Sequence, residues 1–225
     1  MQSQRLTAII DDVERRLAAF YGFAPQSRAA AHVVTREELR TSLGDRIRTL
    51  PEFHGRAGVF LAFDDAEDNL YIGIHFADEI RSRLEAVDPT VRLSEQNLDA
   101  FCVLIEEISH FHLILNRADL GVSKLELEWQ GEIDKLLICA ELLATQSGND
   151  HLAALARRLF DTADIVAEDH ELYWEATRYA ARFWFQAVRE GHLSPRLKQL
   201  LRRSYQAAWA DKLALLESPV LSRAS

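Results

Sequence analysis

The run LDAFCVLIEEISHFHLILN, residues 98–116, is the strongest constraint on what this chain can become. Its apolar residues fall on nearly every side of a helix, and such a helix belongs inside a domain. Yet Glu106, Glu107, His110 and His112 sit in its middle. Ionisable groups carried into a core must find partners or change protonation state. Any fold built on this run needs neighbours that bury it and groups that answer its charges.

A chain of 225 residues, 48% of them hydrophobic, can supply that cover. It suits one large domain or two small ones sharing a core. The net charge of −9 opposes general binding to nucleic acid or acidic membranes, which needs a basic footprint. Cys102 and Cys139 are the only cysteines, each within an apolar helical pattern, and they predict reduced, buried thiols. Asp11, Asp12 and Glu14 interrupt the start, so it lacks the apolar run of a signal peptide. No uncharged run approaches the roughly 18–20 residues that span a bilayer. The expectation is a cytoplasmic protein without membrane contact.

Before the central run the chain mixes periods. Ile10, Val13, Leu17 and Phe20 recur at helical spacing over 4–21, with Gly22 placed as a C-cap. Thr35 and Glu38 form a capping box for a short helix through Leu43. Val59, Leu61 and Phe63, then Leu70, Ile72, Ile74 and Phe76, alternate around an acidic turn, Asp64 to Asn69. This predicts an antiparallel hairpin over 57–76, with His32-Val33-Val34 as a candidate third strand. The turn lacks the glycine and closing glutamate of an EF-hand loop, so it is a solvated turn. Ile80, Leu84 and Val87 mark a helix stopped by Asp88-Pro89.

From Ser94, taken as N-cap of the central helix, only helices are expected. Ser123 and Glu126 make a second capping box, opening a helix that Gly148 ends. Asn149 or Asp150 caps the next. An aromatic helix over 170–190 ends at Gly191, and Ser194-Pro195 starts the last helix. The tail after Glu217 looks loose. The predicted fold is mostly α (α+β): an N-terminal α+β portion, 1–92, packs its hairpin on a helical bundle, 93–217. One shared core is expected, since a lone hairpin is marginal in water.

Helical spacing sorts the central charges. Val103, Glu106, Glu107, His110 and Ile114 share one side, whereas His112 points elsewhere, so His-Phe-His is no metal clamp. Glu107 and His110 have the Glu-x-x-His spacing of carboxylate-bridged metal sites in bundles. Glu128 and Glu132 lie one turn apart on the next helix. If the two helices form an antiparallel hairpin, Glu107, His110, Glu128 and Glu132 gather into a cluster suited to manganese, iron or zinc. His170, Glu171 and Glu175 are further candidates. A bundle centre with two ions normally carries Glu-x-x-His twice, and here it occurs once. The competing reading is an internal network in which Glu106 or Glu107 accepts a hydrogen bond from His110, and Arg178 or Arg182 pairs with Glu128, Glu132 or Glu175.

No phosphate loop, dinucleotide fingerprint, nucleophile elbow or zincin helix is present. Cys102 lies in an apolar context that raises its pKa and makes it inert. Tyr173, Trp174, Phe183, Trp184 and Phe185 cover most of their helix, which suits core packing plus a partner contact. Residues 194–225 carry a net +4 against −13 over the remainder, so the last helix could dock on the acidic body or on a second copy. Two functions follow. The first is a non-enzymatic interaction or accessory protein that binds a protein partner or itself. The alternative is a metal-dependent enzyme, hydrolytic or oxidative, centred on the carboxylate/histidine cluster.

Overall fold

The computed structural model describes residues 3–43, 56–64, 69–117, 121–148, 152–160, 170–190 and 194–217. Helices dominate, with one small antiparallel sheet, in a mostly α (α+β) arrangement. Helix α1 (Gln4–Tyr21) opens at Ser3, whose hydroxyl accepts from the Leu6 amide, and closes at Gly22. Gly22 takes φ of 76°, a left-handed conformation that only glycine enters freely. A 3-10 turn (Ala29–His32) precedes α2 (Arg36–Leu43). The Thr35 hydroxyl accepts from the Glu38 amide and the Glu38 carboxylate from the Thr35 amide, a complete capping box.

Strands β1 (Ala57–Asp64) and β2 (Asn69–Phe76) pair in register Ala57 to Phe76 through Asp64 to Asn69. The acidic turn between them lies outside the described residues, as do residues 218–225. The third strand reduces to one parallel bridge, Val33 to Ile74, in which the Val34 amide donates to the Ile74 carbonyl at 2.8 Å. His32 is spent on the preceding 3-10 turn, so too little chain is left for a ladder. Helix α3 (Asp78–Ala86) buries Ile80 and Leu84.

Helix α4 (Leu98–Asn116) is the predicted central element, and its Leu104, Ile105, Ile108, Phe111 and Leu113 are fully buried. Its N-cap is Asn97 rather than Ser94. Ser94 sits one turn earlier, where its amide donates to the Asn97 side chain while the Asn97 amide group donates to Val87 and Arg92 carbonyls. Helix α5 (Lys124–Ser147) follows after a short connection and runs antiparallel to α4. Ser123 accepts from the Glu126 amide at 3.2 Å, and Gly148 closes the helix with φ of 68°. Helices α6 (Leu152–Phe160) and α7 (His170–Glu190) pack on α5. The proposed caps Asn149, Asp150 and Gly191 lie outside the described residues.

Ser194-Pro195 opens α8 (Pro195–Gln206) as the motif predicts. The last helix is in fact two, since the chain turns at Ala207 and restarts as α9 (Trp209–Glu217). Side chains from α1, β2, α3, α4, α5, α6, α7 and α8 meet in the same hydrophobic core. Among the described residues, no helix is long and apolar enough to cross a membrane.

Candidate metal centre

Between α4 and α5 runs a seam of charge. Cys102, Glu106 and His110 lie at four-residue intervals on α4, so they stack on one face. Glu128, Glu132, Lys135 and Cys139 follow at intervals of four, three and four on α5 and share a face in the same way. Because the helices are antiparallel, the two rows oppose each other. Glu106 faces Lys135 at 3.1 Å, and His110 faces Gly131. Glycine makes this approach possible: a Cβ at position 131 would stand 3.1 Å from Glu106 Cγ and 3.2 Å from His110 Nε2.

Glu106, His110 and Glu128 come together at the middle of the seam. One donor atom from each lies within 4.8 Å of the others. Glu128 and His110 are only 6% and 8% exposed, and His110 Nε2 is buried without a hydrogen-bond partner. A buried imidazole nitrogen left unpaired beside two carboxylates is costly as it stands and is the natural donor for a cation. The other ring nitrogen, Nδ1, lies 3.7 Å from Glu107 Oε2, an ion-pair distance. A carboxylate behind the distal nitrogen is the usual way a metal-binding histidine is oriented.

The sequence-predicted residues are therefore divided. His110 and Glu128 belong to the triad. Glu107 stands behind His110. Glu132 pairs with Lys135 at 2.7 Å on the far side of Glu106. Glu106 joins them because its four-residue spacing to His110 matches the helix face better than the three-residue spacing of Glu107. Glu175 pairs with Arg178 on its own helix at 3.5 Å, while the His170 and Glu171 side chains lie outside the described residues.

The electrostatics follow from four carboxylates in little water. Burial pushes Glu128 up to about 8 and raises Glu107 and Glu132. Burial acts to lower His110, but Glu107 and the charges of Glu128 and Glu106 outweigh it and carry the imidazole up to about 9. Glu106 alone is held low, its burial offset by Lys135 and His110. Without a bound cation the cluster must carry extra protons, and a divalent ion would displace them. The hydrogen bond to Cys102 and burial raise Cys139 well above the usual thiol range, so its sulfur stays neutral.

A second polar network runs from α4 to α1 and α5, in which His112 Nδ1 and Gln130 Oε1 are buried without a partner. His112 Nε2 lies 3.0 Å from Glu14, which also accepts from the Ala29 amide. Ser109, Tyr21 and Gln130 all donate to Asp134, at 2.6, 2.5 and 3.0 Å. These bonds tie α1, α4 and α5 together. His112 thus diverges from His110, as the spacing requires.

The chain matches no family model, no curated protein and no solved structure. The residues themselves carry the functional argument.

Proposed function

We propose that this is a metal-dependent enzyme holding one divalent transition-metal ion between α4 and α5, with Lewis-acid, hydrolytic chemistry. The observation that carries the reading is the orphaned His110 Nε2 facing Glu106 and Glu128. One imidazole and two carboxylates suit zinc, manganese or iron. Three protein ligands leave a coordination position for water or substrate, the feature that separates catalytic from closed structural sites. Such an ion would supply an activated water and a Lewis acid at the seam.

Metal content of tag-free protein after dialysis against zinc or manganese tests this directly. Close to one ion per chain is expected, falling below a tenth in Glu106→Gln and His110→Ala variants that keep their helical circular dichroism. Metal-free wild-type protein would sink the proposal and leave the seam an internal polar network.

A second reading rests on α7. Trp174 and Phe185 are 52% and 68% exposed, and their spacing of about three turns puts them on one side of the helix. Exposed aromatics on one helix face favour an interaction protein that binds a partner or itself. Light scattering of wild-type protein and of a Trp174→Ser/Phe185→Ser double variant distinguishes self-association from a monomer.

A further inference from the structure

Lys135 is placed where a second metal ion would sit. Its ammonium lies 3.1 Å from Glu106 and 2.7 Å from Glu132, and its side chain is only 12% exposed. Glu106 stands between this ammonium on one side and His110 with Glu128 on the other. In two-ion carboxylate centres, a bridging carboxylate occupies that middle place, with the ions roughly 3.5–4 Å apart. The carboxylates for such a centre are present: Glu132 lies one turn beyond Glu128 on the same face. Only the second histidine is missing, and a fixed cation fills the space instead.

We infer that Lys135 is a built-in second cation that makes the centre mononuclear, with Glu106 bridging the ammonium and the single ion. The inference rests on the metal reading above. Glu106, Glu107, Glu128 and Glu132 carry −4 against +1 on Lys135, and a divalent ion at the triad would bring the sum to −1. Lysine cannot withdraw without leaving Glu132, only 13% exposed, without its ion pair, which is unfavourable. The arrangement excludes chemistry that needs two adjacent ions and leaves a single Lewis acid.

Manganese(II) is the probe, read by ion stoichiometry and by electron paramagnetic resonance. Wild-type protein should take one ion per chain and give the six-line signal of isolated manganese. Lys135→Ala should take two, with the signal attenuated by coupling through Glu106. Lys135→Gln retains N–H donors and drops the charge, so it provides a reading even if the alanine variant does not fold. Loss of a neighbouring positive charge should tighten its first ion on the order of tenfold. Two coupled ions in wild-type protein would overturn the inference while leaving the metal reading intact. So would a folded Lys135→Ala that stays at one ion, or a Lys135→Gln whose affinity is unchanged or weaker. Wild-type protein that takes no manganese or zinc would end both.

Discussion

Single residues decide whether the α4/α5 seam can exist. Gly131 is the clearest case, because the space its missing side chain leaves is where Glu106 and His110 approach α5. Alanine there would gain about 1 kcal/mol of helix propensity. Its Cβ would nevertheless crowd two donors of the triad, and zinc affinity of Gly131→Ala should fall at least about tenfold with helix content unchanged. A competition titration with a coloured chelator measures this, and unaltered affinity would show that the close approach is dispensable. At this scale the sequence was only partly legible. His110 and Glu128 could be picked out, but Glu106 and Glu107 are adjacent, and which of them turns inward depends on the rotation of α4 against its neighbour. Lys135 is a same-helix neighbour of Glu132 three residues on, but its pairing with Glu106 at 3.1 Å depends on how α5 lies against α4.

At the level of elements, local chemistry and tertiary packing agree closely. The ends of α1, α2, α5 and α8 follow caps written in the sequence, because a cap satisfies backbone groups from residues a few positions away. Ser123→Ala removes the hydroxyl that accepts from the Glu126 amide and should lower stability by about 1 kcal/mol, read as a shift of the urea midpoint at constant slope. Its metal content should be unaffected, which separates helix stability from the centre. Where elements depart from local expectation, a long-range contact is responsible. The Ser123 box stays half-made because the Glu126 carboxylate is taken by Arg117 at 2.9 Å and Lys212 at 2.6 Å. Helix α4 begins at Asn97 without a side-chain cap, because the Asn97 side chain is held by the Ser94 amide and the Val87 and Arg92 carbonyls.

On the scale of the whole molecule, the C-terminal helices are anchored by a buried cation. Lys212 is fully buried on α9, reaching Glu126 and lying 5.6 Å over the Trp129 ring, so the basic end does dock on this chain's own acid. Burial pushes its ammonium down to about 8, against roughly 10.4 when unfolded. Between those values the unfolded chain holds the proton and the folded chain does not, so this group makes stability rise with pH. Below about pH 8 both states are protonated and the slope vanishes. Denaturant melts from pH 7.5 to 10 should show wild-type protein gaining stability relative to Lys212→Met, by an amount on the order of 2–3 kcal/mol. Parallel curves for the two proteins would show that Lys212 is solvated in solution.

The sequence by itself determined the helices, the hairpin, most of the caps and the burial of the central run, because periodicity and capping depend on residues within a few turns of one another. It also determined that acids and histidine would be carried into the interior, since no rotation of α4 can expose all of them. Only the tertiary structure decided which of them meet. Glu106, His110 and Glu128 converge, Glu107 falls in behind, and Lys135 claims Glu132, because helix direction, rotation and the glycine gap are set by packing across the whole core. A side-chain cluster is a property of two surfaces brought together, and neither surface encodes the meeting alone.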